Sequence, residues 1–322
     1  MKPPAFSRLL TPQTLALVGV LAFNWLLFPG FFTVVWQDGR FFGSLIDVLN
    51  RGAPVAILAV GVTAVIATKG VDLSVGAVMA IAGAVAAASV VAGYSVFVAG
   101  LACGFWNGVL VTFLGIQPII ATQVIMVAGR GVAQLITEGS IVTFSDEKLI
   151  FLGTGAFLGF PMPIIIALVL MVLATLAVRR TALGLLIEAV GVNRSAARFA
   201  GISSSILLLI VYAFSGFCAA ISGIIVASDI RGADANNAGL WLELDAILAV
   251  VIGGTSLMGA RFSIVMSVVG ALIIQAMNTG ILVSGFRPEF NLIVKAGVII
   301  IILILQSPIA ARLYRPRTGA AR

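Results

Sequence analysis

Ten apolar stretches follow one another along the chain, at about 14–35, 52–68, 73–92, 95–114, 119–137, 162–178, 206–227, 246–259, 262–284 and 291–306. No single soluble core has room to hide that many, because a helix that is apolar all round must be covered by other protein or by lipid. Of 322 residues, 61% are hydrophobic and 10% charged, so lipid is the only cover left for the surplus. Several stretches are shorter than the roughly 20 residues that cross a hydrocarbon layer, and the eighth is the weakest of them. The pattern predicts an all-α fold: a polytopic transmembrane helical bundle of about ten spans in one domain, residues 1–322.

Basic residues fix the expected orientation, since Lys and Arg are retained on the cytoplasmic side. With both termini inside, twelve basic residues fall on inner segments and five on outer ones, while ten of the twelve acids face out. Lys2 and Arg8 ahead of the first run resemble a signal peptide, but that run is too long and Phe23-Asn24-Trp25-Leu26 has no small-residue cleavage site. An uncleaved first helix is expected. The polar segments of interest are an inner one at 179–205, an outer one at 229–245 and a basic inner tail at 307–322. An inverted relation between spans 2–5 and 7–10 is left open.

Several function classes drop out. The net charge of +7 is spread between apolar runs rather than gathered on a soluble face, which argues for topology rather than nucleic acid. The chain has no His, and its two cysteines, Cys103 and Cys218, lie apart within apolar runs. Imidazole chemistry, a disulfide framework and the usual metal sites are thereby removed, and no bound metal or cofactor is expected. No Gly-x-x-x-x-Gly-Lys-[Ser/Thr] loop occurs, so any ATP is hydrolysed on another chain. With no paired carboxylates or activated nucleophile either, an enzyme is not expected.

What remains is polar chemistry inside or beside the spans. In span 5, Gln123, Arg130 and Gln134 are spaced by seven and four residues, which places them within about 40° of one helix face. They either exchange hydrogen bonds with a polyol or water in a pathway, or tie helices together while Arg130 snorkels outward. Trp106 and Asn107 in span 4, and Gln275 and Asn278 in span 9, are further pathway candidates. Asp72 beside Lys69 reads as a gate, a helix cap or a local ion pair. The inner segment alternates small and charged residues: Gly184, Glu188, Ala189, Gly191, Asn193, Ala196, Ala197, Arg198 and Gly201. Two short helical pieces are expected there, broken at Gly191 with Asn193 capping the second, a form suited to docking in a groove of a soluble partner. Outside, Asp229, Arg231, Asp234, Glu243 and Asp245, with Trp241, form an acidic segment suited to an extracytoplasmic partner.

Four motifs in order carry a family resemblance: Lys69-Gly70-Val71-Asp72-Leu73-Ser74-Val75-Gly76, Gly104-Phe105-Trp106-Asn107-Gly108-Val109-Leu110-Val111, the Gly184 to Gly201 segment, and Ile252-Gly253-Gly254-Thr255-Ser256-Leu257-Met258-Gly259. Together they resemble the permeases of the ribose/xylose-type ABC importers. Lys69 departs from the first motif's usual pattern. Within that family, Gln37-Asp38-Gly39-Arg40 and the segment from Asp229 to Asp245 are most similar to the galactofuranose importers. The resemblance implies a bacterial inner-membrane permease that binds no cofactor, with ATP and Mg on a cytoplasmic ATPase subunit. It also implies a periplasmic sugar-binding protein and a second permease, a different chain if the narrower match holds. The sugar implied is galactofuranose, with ribose, xylose or rhamnose as alternatives. An ion-coupled secondary transporter is the rival reading, opposed by the lack of any Asp or Glu inside the spans as drawn.

Overall fold

The computed structural model describes residues 12–27, 31–37, 39–92 and 96–285, and beyond them 292–294, 296–297 and 300. The expected tenth span and the basic tail therefore lie largely outside the described residues. Helix α1 (Pro12–Leu27) leads to a hairpin of β1 (Val35–Gln37) and β2 (Arg40–Phe42), and then to α2 (Ser44–Ala67). α3 (Val75–Ala92), α4 (Val96–Thr112) and α5 (Pro118–Ile136) follow. A connector holds β3 (Val142–Thr143), α6 (Glu147–Thr154), β4 (Ala156–Phe157) and β5 (Phe160–Pro161). The second half runs α7 (Met162–Arg180), α8 (Leu183–Val192), α9 (Arg194–Phe199), α10 (Ser204–Asp229), β6 (Gly232–Ala233), α11 (Leu242–Ile252) and α12 (Ile264–Val283). Among the described residues the strands pair only as three two-stranded antiparallel ribbons, so helices make the architecture.

Among the described residues five helices, α2, α5, α7, α10 and α12, are long and apolar enough to cross a membrane. The others are shorter, and the differences from the ten runs have physical causes. α1 stops at Leu27, and Val35, the expected end of the first span, begins strand 35–37 because β-branched and aromatic side chains pair there with 40–42. α2 begins eight residues before the expected 52 and carries Asp47, Asn50 and Arg51 inside it. The eighth run yields only the 11 residues of α11, about 16 Å of helix and half a bilayer.

Two helices form the centre. α2 is buried almost without interruption from Gly52 to Ala67, and α10 packs against α2, α3 and, most extensively, α4. Gly100, Gly104 and Gly108 recur every fourth residue on α4 and bring its backbone onto α10: Ala220 and the Gly216 carbonyl stand where a Cβ at Gly100 would go, and the Tyr212 carbonyl where one at Gly104 would. Small residues at that spacing let dispersion contacts hold helices together where lipid removes the hydrophobic drive.

The bundle has two distinguishable ends. At the hairpin end α2 begins, the Trp36 and Phe41 rings meet edge-on at 4.7 Å, and Arg40 Nη1 donates to the Thr154 carbonyl at 3.1 Å. At the elbow end α2 finishes against α8. α3 and α11 both start within the bundle rather than at an end: α3 follows the non-helical stretch 68–74 and α11 the stretch 230–241, and Gly239 lies backbone to backbone on Gly76.

Candidate functional site

The stretch 68–74 is anchored by a carboxylate. Asp72, 1% exposed, accepts from Ser74 N at 3.0 Å and Ser74 Oγ at 2.6 Å on one oxygen, and from Ser215 Oγ of α10 at 2.7 Å on the other. Asn107 of α4, fully buried, donates to Ser74 Oγ at 2.7 Å. The first two motifs of the sequence thus meet as one polar knot joining α3, α4 and α10. Of the readings offered for Asp72, helix capping is not what forms, because Asp72 accepts from the Ser74 amide ahead of α3 and so closes the turn that leads into the helix. The ion pair with Lys69 does not form, since Lys69 Nζ donates to the Val192 carbonyl at 3.0 Å instead.

Stretch 230–241 is clamped from α5. Arg130 Nη1 donates to the carbonyls of Ala238 at 2.5 Å and Ala235 at 3.2 Å, and Gln134 Nε2 donates to Asn236 Oδ1 at 2.9 Å. The face predicted from spacing exists, but two of its three residues hold the stretch, while Gln123 points away into exposure. Within the stretch, Asp234 Oδ1 accepts from the amides of Asn236 at 3.0 Å and Asn237 at 3.2 Å, and Oδ2 accepts from Asn237 Nδ2 at 2.8 Å. The Asn237 hydrogen bond, offset in part by burial, holds the Asp234 carboxyl below its ordinary range.

Two of the five residues expected on an outer surface are not there. Glu243 and Asp245 sit in the first turn of α11 at 2% and 6% exposure. Glu243 Oε2 and the Gly239 carbonyl occupy the place of a Cβ at Gly76, so the carboxylate lies at the starts of both α3 and α11, where helix dipoles favour negative charge. Asp229, Arg231 and Trp241 are exposed and Asp234 is half-buried. The spans as drawn hold no acid, but Asp72, Glu243 and Asp245 are buried just beyond their borders, beside non-helical stretches that hydropathy cannot resolve, and α2 and α10 as folded carry Asp47 and Asp229.

The remaining pathway candidates divide. Trp106 is exposed on α4, whereas its neighbour Asn107 belongs to the knot. Gln275, 7% exposed, accepts from Asn278 Nδ2 at 3.4 Å on α12, against α1, α2 and α11 rather than α4 or α5.

At the elbow end, α8 and α9 are the two short helical pieces expected from the sequence. Asn193 Oδ1 accepts from Ala196 N at 3.0 Å and caps α9, as the sequence predicts, but the break falls at Asn193 rather than Gly191. Gly191 is buried: the Ala67 carbonyl stands where its Cβ would go, and the Ala260 amide lies 2.9 Å from that position. A bulky residue there would part α8 from α2 and so could not spare the fold. Gly184 is buried against Val178, Ala197 is buried, and Glu188 and Ala189 are half-buried, with Glu188 lining a cavity of about 330 Å³ beside Arg179 and Ser263. Asn193, Ala196, Arg198 and Gly201 are exposed. Phe199, 94% exposed, and Leu185, 73% exposed, are surface features that the sequence reading missed. Phe199 carried a signal, a large apolar side chain in an otherwise polar or small segment, whereas Leu185 sits among Leu183, Leu186 and Ile187 and carried none.

The model of a branched-chain amino acid transport system permease component matches residues 44–303. The chain belongs to that permease family. It is 61% identical over 303 residues to the galactofuranose transporter permease protein of Escherichia coli, covering 92% of this chain and 89% of that one. It is 41% identical over 309 residues to a fructose import permease of Bifidobacterium longum, covering 91% and 87%. To the ribose import permease of Escherichia coli it is 38% identical over 304 residues, covering 91% and 92%. No solved structure matches the chain. The permease is thus a membrane protein of apolar helices, and the non-catalytic component of its transport system.

Proposed function

We propose that this permease is the membrane-spanning subunit of an ATP-driven importer of a monosaccharide, with galactofuranose the sugar. The identity of 61% to the galactofuranose permease, against 41% and 38% to the fructose and ribose permeases, supports that choice of sugar. It lies in a bacterial inner membrane with about ten spans and both termini in the cytoplasm, and Arg179 and Arg180 at the end of α7 support that side for the elbow. A long helix, a non-helical stretch and a shorter helix recur as α2–α3 and as α10–α11, which supports an inverted relation between the halves. ATP and Mg stay on the partner ATPase, a periplasmic sugar-binding protein meets Arg231 and Asp234, and a second, different permease completes the conduit along the exposed sides of Trp106 and Gln123.

One observation carries the reading: the elbow exposes Leu185 on α8 and Phe199 beside exposed Arg198 on α9, and α8 packs through Gly191 on the end of α2. An apolar anchor with a charged rim is the anatomy of a protein interface. Phe199→Ala, which touches no core residue, should leave the fold unchanged and weaken ATPase co-purification about tenfold or more. In proteoliposomes, sugar uptake should require ATP, the ATPase and the binding protein. Uptake driven by an ion gradient alone would favour the secondary transporter, a reading that the buried Asp72 and Glu243 keep in contention.

A further inference from the structure

A cavity of about 270 Å³ opens between α2, α7, α10 and α12, and Asn50, Arg51, Asp229 and Gln275 are among its lining residues. It lies on the α7 and α12 side of the protomer, away from α5 and its clamp. Its depth follows from helix lengths. α7 has 19 residues, about 28 Å, close to the ~30 Å hydrocarbon layer, and Pro163 at its second position lines the cavity. Arg51, two turns into α2, and Asp229, the last residue of α10, meet it at the same level. With α7 crossing the layer, the cavity stands where acyl chains give way to headgroups, and α7 is the long helix that the rest of the chain buries least.

Its chemistry is unbalanced in a specific way. Asn50 Oδ1 is buried without a donor, and Pro54 has no N–H to give to the carbonyl four residues back, which is also that of Asn50. With the Asp229 carboxylate these make a set of acceptors calling for a cation that carries N–H groups. Arg51 supplies a guanidinium, and Gln275, whose Oε1 is engaged by Asn278, has its amide N–H groups left to give. Among the described residues neither Arg51 nor Asp229 forms an ion pair, although Arg51 is close enough to act on the Asp229 charge. Unpaired charges at the edge of hydrocarbon are costly, and a ligand carrying both complements removes the cost at once.

We propose that this cavity binds the phosphoethanolamine headgroup of a phospholipid, with the phosphate on Arg51 and Gln275 and the primary ammonium on Asp229 and Asn50, the acyl chains lying along α7. The reading is independent of the sugar carried. A choline headgroup has the same phosphate but no N–H, and a glycerol headgroup has no cation, so the two controls separate the halves of the site.

The test uses the full-length permease in detergent, titrated by native mass spectrometry with phosphatidylethanolamine, phosphatidylcholine and phosphatidylglycerol of matched chains. Phosphatidylethanolamine should bind about tenfold more tightly than either, the difference expected from one lost charge-assisted hydrogen-bond set. Arg51→Gln and Asp229→Asn should each abolish that preference, while Leu173→Ala on α7 should keep it. Equal binding of the three lipids by the unaltered permease overturns the proposal without reference to any variant. So does displacement of phosphatidylethanolamine by a free monosaccharide, which would make the cavity a sugar site.

Discussion

α2 and α7 are both long and apolar enough to span a bilayer, and α7 is the more apolar, yet 78% of the central part of α2 is buried in protein and 11% of that of α7. In water the more apolar helix would be the inner one. Here the order is reversed, because lipid tails cover Leu and Val as well as protein does, and position is set by how closely backbones can approach. α2 carries Gly52, Gly61 and five dispersed alanines, and Gly61 faces Cys218 and Ser215 of α10, whereas α7 offers Leu168, Val169, Val172, Leu173 and Leu176 outward.

The contrast can be broken at its strongest point. At Gly61 an added Cβ would lie 3.0 Å from Cys218 Cβ and from the Ser215 backbone. Gly61→Leu should therefore cost on the order of 3 kcal/mol or more, read as a large fall in the thermal midpoint in detergent. If α7 responds as strongly to Leu173→Ala, expected within about 0.5 kcal/mol, the division into packed core and lipid-facing shell is wrong. Between these extremes lies the α5 clamp. Arg130→Ala leaves the Ala235 and Ala238 carbonyls without their donor, a loss of about 1–3 kcal/mol that should appear as faster labelling of a cysteine placed at Asn237, with Arg130→Lys partly restoring protection.

The smallest effect sharpens the same picture at the edge of the bundle. Asp234 has its carboxyl depressed, chiefly by Asn237, so the stabilisation it gives its turn is complete above the ordinary carboxylate pKa of about 3.9 and is lost as pH falls through its lower folded value. Trp241 fluorescence should stay flat from pH 7 to about 4 and change only below. A transition near pH 6 would place another group in control.

Much of this was legible beforehand. Nine of the ten apolar runs contain a helix, the tenth lying largely outside the described residues, and the Asn193 cap was readable because a short polar side chain before Arg194-Ser195-Ala196 has a clear local task. The non-helical stretches were half legible. Gly232, Gly239 and two adjacent asparagines announce a loop, but nothing local says that it turns back into the bundle to touch Gly76. That is decided by Arg130, more than a hundred residues away along the chain. For the same reason Glu243 and Asp245 read as surface acids, since composition cannot see two helix starts converging around a carboxylate. The Gly100, Gly104, Gly108 spacing was available and passed over, although it encodes the extensive α4–α10 interface directly.

The junction of Gly191, Ala67 and Ala260 is made of main chain on main chain, with the Ala260 amide donating to the Ala67 carbonyl at 3.1 Å. Side chains can absorb a small shove by changing rotamer, but peptide planes in contact have no such slack. A shift of α8 by even a fraction of an ångström must therefore arrive at the end of α2 as a rigid displacement, in the way a crank moves its shaft.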